Sequence, residues 1–199
     1  MKMTNSNKFD THESFYHGLV KSKLWLCEEL EVAMYRECFN KPSLHILGCW
    51  DNLLAFMLLT RKPEYYNIVH GYDINPEAIA NANKICGTWQ IEEPKVINHL
   101  IDVNRYDYSN CINEPIFINC SIDQMDSNKW YDSIPVNSLV CIQAVDVTNP
   151  EFPWLIRQTT SSLDELINRF NFSTLLYSGT KRIQYPVNSY KRFMIIGRK

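Results

Sequence analysis

Glycine is scarce in this chain, with 6 among 199 residues. A dinucleotide-binding turn needs one glycine to turn, one to admit a pyrophosphate and one for helix packing. The first strand-to-helix turn, Gly48-Cys49-Trp50-Asp51, has a single glycine, which counts against a dinucleotide oxidoreductase. An excess of one charge is also lacking. The formal net charge is −2, so nothing drives the chain electrostatically toward nucleic acid or an anionic membrane. Nucleic acid is disfavoured as a partner without being excluded. No run approaches the roughly 20 apolar residues of a membrane helix. Residues 1–13 are polar, with none of the apolar core of a secretory signal. The cysteines are odd in number, 7, form no CxxC pair and fall partly inside apolar runs. That pattern excludes a disulfide scaffold and a zinc ribbon and fits reduced, buried thiols. The 5 histidines show no HExxH or paired metal spacing. The expectation is a soluble, cytoplasmic, metal-free protein with no membrane partner.

What is present is enough apolar sequence, 45%, to build one sizeable core. The most informative stretch runs from Ser43 to Asp73. Ser43–Leu47 is a short apolar run, Gly48 permits a sharp turn, Asp51–Thr60 is an apolar helix and Ile68–Tyr72 is a second apolar run closed by Asp73. Strand, glycine turn, helix, strand and closing acid make the nucleoside-binding half of a doubly wound fold. In such a fold Gly48 and Asp73 lie at the carboxyl ends of neighbouring parallel strands and face one crevice. The Asp73 carboxylate can then accept hydrogen bonds from two ribose hydroxyls.

The rest of the chain reads around that core. Residues 1–13 are a loose tail, with Phe15 and Tyr16 beginning to dock. Ser22 is placed to cap a helix to about Phe39, whose Leu26, Leu30, Ala33 and Met34 share a face. Lys41-Pro42 ends it. Asn75-Pro76-Glu77 starts another helix, with Ile79, Ala82, Ile85 and Cys86 as its buried stripe and Gly87 at its close. Strands are expected at about 95–101, 115–119 and 138–145, the last buried on both faces. The connection at 106–114 is too short and polar for a good helix. Residues 146–155 form a loop. Ser162-Leu163-Asp164-Glu165 is a capping box for a helix with Leu163, Leu166, Ile167 and Phe170 inward. Strands at 173–178 and 190–197 close the chain, joined by a loop carrying Pro186. Alternating strands and helices call for a parallel sheet. The short final connection calls for an antiparallel hairpin. The fold class is therefore α/β: a Rossmann-like seven-stranded sheet, mostly parallel, with a C-terminal antiparallel hairpin and helices on both faces. Lys181, Arg182, Lys191, Arg192, Arg198 and Lys199 read as a solvated basic face.

Over residues 43–199 the chain resembles the class I S-adenosylmethionine-dependent methyltransferases. HILGCW resembles their first motif, VHGYDINPEAIANANKI their second, and TLLYSGTKRIQYPVNSYKRFMIIGRK their last two strands; NCSIDQM falls where they line the reactive methyl. Ile46 stands where the first motif usually carries an acid, and Gly48 lacks the further glycines. S-adenosylmethionine has no phosphate, so a glycine-poor turn is compatible with it.

The chain divides into a polar tail at 1–20, an N-terminal helix at 21–42 and, as the resemblance implies, a cofactor-binding domain at 43–199. It implies S-adenosylmethionine as cofactor and a small-molecule or protein acceptor methylated on O or N. Asp73 would grip the ribose and Gly48 form the turn against the ligand. Asp102 would meet the adenine amino group, Ile74 would pack on the adenine face, and Trp50 would line the pocket or cover the sheet's end. Asn119 and Cys120 would face the sulfonium. Asp123 would be the general base, or else a helix cap before Met125. Gln143, Asp146, Phe152 and Trp154 flank the same crevice, as acceptor contacts or as loop packing. Tyr16 and His17 precede a first helix that can lie across the site. Two other readings stay open: an enzyme of this fold that cleaves or rearranges S-adenosylmethionine, and a non-catalytic binding module.

Overall fold

The structure is a computed structural model that describes residues 15–90, 94–111, 114–147, 156–184 and 189–199. Seven strands form one sheet: β1 (Leu44–Leu47), β2 (Val69–Asp73), β3 (Val96–Leu100), β4 (Ile116–Asn119), β5 (Leu139–Val145), β6 (Thr174–Gln184) and β7 (Ser189–Arg198). Their order is β3-β2-β1-β4-β5-β7-β6. The first five are parallel, and β7 runs antiparallel between β5 and β6. The chain reverses direction across the sheet between β1 and β4, the switch point where α/β folds open a crevice.

Strand alternation sorts side chains between two apolar layers. Leu44, Ile46, Val69, Val96, Ile116, Ile118, Met194 and Ile196 face α1 (His17–Arg36), α2 (Leu53–Arg61) and α3 (Pro76–Ile85). Leu47, Tyr72, Phe117, Val140, Ile142, Phe193 and Ile195 face α4 (Lys129–Ser133) and α5 (Leu163–Arg169). Helices therefore cover both faces. The expected caps of two helices form. Asn75 accepts the Glu77 N–H at 2.9 Å ahead of Pro76, and Ser162 accepts the Glu165 N–H at 3.1 Å.

Three expectations are corrected. The first helix begins at His17, inside the stretch expected as tail (1–20), and Ser22 does not cap it. Ser22 is buried mid-helix and donates to Gln143 Oε1 at 2.9 Å, tying α1 to β5. β6 runs on to Gln184, past the expected end at 178, because its alternating exposed and half-buried positions need only one packed face. The basic face is not uniformly solvated. Arg192 is 6% exposed, Arg198 pairs with Glu37 and stacks on Phe39, and Lys199 donates to three backbone carbonyls.

The β3-to-β4 connection carries no helix among its described residues. Tyr106, Tyr108 and Cys111 do the covering instead. They lie over an aromatic ladder that runs through His45, His70 and His99 on β1, β2 and β3, interleaved with Tyr72 and Phe117. His45 stacks on His70 at 5.0 Å and on Phe117 at 4.9 Å, and His45 Nδ1 lies 2.9 Å from the Tyr72 hydroxyl.

Candidate active site

The β1-to-α2 turn is built from alternating left-handed residues. Gly48, Trp50 and Asn52 have φ of 64°, 53° and 54°. Glycine holds this geometry freely, whereas an L residue is strained there by about 1–2 kcal/mol. The surroundings hold it in place. The Trp50 backbone N–H donates to Asp73 Oδ2 at 2.8 Å, Ser121 Oγ donates to the Gly48 carbonyl at 2.8 Å, and Asn52 Nδ2 donates to Asn98 Oδ1 at 2.7 Å. Gly48 has a further reason to be glycine. A Cβ there would sit 2.8 Å from Ser121 Cβ and 3.0 Å from Met125 Cε.

Two confluent cavities open at the carboxyl ends of the parallel strands, sharing Gly48, Trp50, Ser121 and Gln124. The first, about 350 Å³, is walled by Asp73, Ile74, Asn75, Asp102, Met125 and Arg157 among others. Asp73 lies at its rim with both carboxylate oxygens anchored. Oδ2 accepts from Trp50 and Oδ1 accepts the Asn75 N–H at 2.9 Å. Burial raises the carboxyl's pKa above the usual carboxylate range, and the backbone N–H groups of Asn75, Trp50 and Ile74 oppose that rise. Each oxygen keeps lone-pair capacity for a further donor. Asp102 accepts the Asn104 N–H at 3.0 Å and pairs with Arg105. Ile74 is 69% exposed on the same rim, a large apolar surface open to solvent.

The second cavity, about 260 Å³, lies against α1, β5 and β7. Its wall includes Lys23, Asp51, Cys120, Asp123, Gln143 and Arg192. Asp51 is buried, and its Oδ2 has no hydrogen-bond partner among the described residues. Burial lowers the Lys23 pKa. It raises the Cys120 pKa, keeping that thiol protonated. Asp123 sits in a short 3₁₀ helix, Ile122–Gln124, directly after β4. Its Oδ1 accepts the Val145 N–H at 3.3 Å and its Oδ2 lies 4.0 Å from Arg192 Nη1. The side chain therefore faces β5 and β7 and does not serve as a cap before Met125. Burial pushes its pKa up to about 6, with Arg192 pulling the other way. At neutral pH the group is mostly a carboxylate with an ordinary driving force to accept a proton.

Of the residues singled out in the sequence, Gly48, Trp50, Asp73, Ile74, Asp102, Cys120 and Asp123 all line this pair of cavities. Asn119 lines neither. It is fully buried, accepting the Ser121 N–H at 2.9 Å and donating toward Met125 Sδ at 3.3 Å, so it shapes the loop that carries Cys120 and Asp123. The Gln143 amide is committed to Ser22 and Met194. Asp146, just past the end of β5, accepts the Lys191 N–H at 2.7 Å. Phe152 and Trp154 lie outside the described residues. Tyr16 and His17 are exposed and line neither cavity. The first helix does reach the site, through Leu19, Ser22 and Lys23. Lys23, Asp51, Asp126, Arg157 and Arg192 are the charged wall residues that sequence reasoning missed. Period-2 alternation along β7 was the available signal for Arg192: Tyr190, Arg192, Met194 and Ile196 share one face, and the last two are core.

No known family model and no curated protein matches the sequence. Solved structures do match the fold. Magnesium protoporphyrin IX methyltransferase from Synechocystis PCC 6803, solved with bound SAM, superposes over 97% of this chain and 86% of its own at a TM-score of 0.63 and 9% identity. The plantazolicin methyltransferase BpumL, solved with a substrate analogue and SAH, superposes over 94% of this chain and 88% of its own at 0.63 and 11%. A structure described for the conversion of a disulfide bond into a thioacetal group during echinomycin biosynthesis superposes over 84% and 80% at 0.54 and 14%. The chain has the class I S-adenosylmethionine-dependent methyltransferase fold.

Proposed function

We propose that the protein is an S-adenosylmethionine-dependent methyltransferase that acts on an O or N nucleophile, with a small molecule the favoured acceptor. The observation that carries this reading is Asp73. It stands at the tip of β2, beside the Gly48 bend at the tip of β1, with its carboxylate fixed by two backbone N–H groups on a cavity rim. A carboxylate so anchored is oriented before any sugar arrives, which lowers the entropic cost of gripping a vicinal diol.

The wall chemistry fits the cofactor. The cavity beside Asp73, Ile74 and Asp102 would hold the adenosyl part. The unpartnered Asp51 Oδ2 and the Lys23 ammonium would hold the amino and carboxyl groups of the methionyl part. When bound, S-adenosylmethionine supplies a sulfonium methyl: the S–C bond breaks, sulfur keeps the electron pair, and the methyl bonds to the acceptor's oxygen or nitrogen. This chain's share is positioning and proton removal. α1 lines one wall of the crevice through Leu19, Ser22 and Lys23. Asp123 takes the proton that the acceptor's O–H or N–H loses, and its backbone carbonyl accepts the Arg157 and Gln158 N–H groups that fix the opposite wall. Open cavities at the strand tips, each walled by charged side chains, count against a non-catalytic module.

Titration with S-adenosylmethionine by calorimetry tests the reading. Saturable binding is expected, weakened by about a hundredfold in Asp73→Ala, the loss of two hydrogen bonds to a charged acceptor. No binding at millimolar ligand, or unchanged affinity in Asp73→Ala, would sink it. Chromatography of the nucleoside product then separates chemistries. S-adenosylhomocysteine reports transfer, and methylthioadenosine reports cleavage.

A further inference from the structure

Arg192 lies at the back of the second cavity, in register with Val145 of β5. It is 6% exposed, and its Nε is buried without a hydrogen-bond partner among the described residues. Its nearest carboxylate, Asp123 Oδ2, is 4.0 Å from Nη1, beyond hydrogen-bond reach. A guanidinium carries five donors in a rigid fork. Removing such an ion from water costs several kcal/mol, which a loose contact does not offset. Its strand neighbours on the same face, Met194 and Ile196, are apolar core, so an apolar residue would fill position 192 without that cost. Among the described residues the site is therefore short of an anion at Arg192.

The shape and sign of that anion follow from the same wall. The guanidinium fork matches a carboxylate or a phosphate. Two carboxylates, Asp51 and Asp123, line the same cavity and offset Lys23 and Arg192, which leaves no surplus of positive charge for a doubly charged phosphate. A singly charged carboxylate fits. Lys23 and Asp51 already form a complementary pair for the zwitterionic end of the cofactor. Arg192 and Asp123 form a second pair, with opposite charges 4.0 Å apart. That spacing suits a molecule whose carboxylate and proton-bearing nucleophile are separated by only a few bonds. The cavity, about 260 Å³ for methionyl group and acceptor together, suits a small acceptor.

We propose that the methyl acceptor is a small carboxylic acid bearing an amine or hydroxyl close to its carboxylate, the carboxylate gripped by Arg192 and the nucleophile turned to Asp123. The proposal rests on the methyl-transfer reading above.

The test is calorimetry on protein saturated with S-adenosylhomocysteine, titrated with 2-aminobenzoate and with its uncharged counterpart 2-aminobenzamide. The acid is expected to bind about 30-fold more tightly than the amide, the scale of a charge-assisted hydrogen bond. In Arg192→Gln that preference falls to within about threefold while S-adenosylhomocysteine binds as in the wild type. Arg192→Lys, which keeps charge and bulk but not the fork, retains part of the preference and serves if the glutamine variant fails to fold by circular dichroism. Equal binding of acid and amide to the wild type overturns the proposal alone. So does an Arg192 variant that loses S-adenosylhomocysteine affinity while keeping the acid preference, since Arg192 then serves the cofactor. A wild type that binds no S-adenosylhomocysteine overturns the methyl-transfer reading, and this proposal with it.

Discussion

Gly48→Ala is expected to cost this protein about 2–5 kcal/mol, and Ser121→Gly is expected to give back a defined part of that. The first component is backbone strain. At φ 64° an L residue sits in the left-handed region, at about 1–2 kcal/mol. The second is a clash. The new methyl would lie 2.8 Å from Ser121 Cβ, 3.0 Å from Met125 Cε and 3.2 Å from Ser121 Oγ. Met125 Cε is the end of a flexible chain and can yield. Ser121 Cβ is bound to the backbone of the loop carrying Asp123 and cannot move alone. Overpacking of that kind costs about 1–3 kcal/mol. Unfolding in urea, followed by circular dichroism, measures the sum. Ser121→Gly removes both offending Ser121 atoms but forfeits the hydrogen bond to the Gly48 carbonyl, about 1 kcal/mol. The double variant should therefore be more stable than the sum of the singles by at least about 1 kcal/mol, because the clash vanishes while the strain stays. Additivity within about 0.5 kcal/mol would refute the packing argument. A Gly48→Ala protein as stable as the wild type would refute the strain argument as well.

Asp123, with its pKa pushed up to about 6, should set the acid limb of activity: kcat is expected to rise through an apparent pKa near 6, and Asp123→Asn should remove that limb, read from initial rates across pH 5–8. The same group is linked to stability. Its folded pKa lies above its unfolded value, so the native state holds the proton more tightly, and stability falls as pH rises from about 4 to 6. Asp123→Asn should flatten that fall in urea titrations. The histidine ladder acts in the opposite direction. Burial lowers the pKa of His45 to about 3 and of His70 to about 4, and it also lowers that of His99; Cys111 and the Tyr72 and Tyr108 hydroxyls around the ladder, all uncharged near neutrality, give no countercharge. Below pH ~6.5 the unfolded chain takes up protons that the ladder refuses, at about 1.4 kcal/mol per pH unit for each histidine. His45→Phe, which keeps the stacking on Phe117, should lower the slope of stability against pH between 6 and 4 by about that amount; an unchanged slope would show that the ladder is already open to protons.

The order of elements was legible because the chain is locally consistent. Ser43–Asp73 alternates apolar runs with turn residues at the right intervals, and the short final connection forces a hairpin. Asp73 was legible for the same reason, as an acid closing an apolar run before a capped helix. Asn119 was misjudged because it closes a strand just as Asp73 does. Sequence does not tell which way the next bend turns, and Asn119 spends both ends of its amide on its own loop. Lys23, Asp51 and Arg192 escaped for a different reason. Each belongs to an element whose neighbours explain it blandly: a helix face, a turn, a basic strand. Only the strand order brings α1, the first turn and β7 around one cavity.

The turn at 48–52 carries a single glycine, yet its backbone alternates through the left-handed region, with tryptophan and asparagine at the other two positions. Two strained residues at about 1–3 kcal/mol each persist only where the surroundings over-determine them. Here three contacts do so: Asp73 to the Trp50 N–H, Asn52 to Asn98, and Ser121 to the Gly48 carbonyl. The first joins the turn to the residue proposed to hold ribose, and the third joins it to the loop of the proposed base. A chain under no demand to bind could place glycine at position 50 and release that strain without losing the contact to Asp73, which is made by the backbone N–H. Trp50 and Asn52 remain left-handed, the cavities on either side remain open, and each anchoring group belongs to a cavity wall or packs directly behind one. Strain retained at a turn that both cavities share weighs against reading the scarcity of glycine as a loss of function.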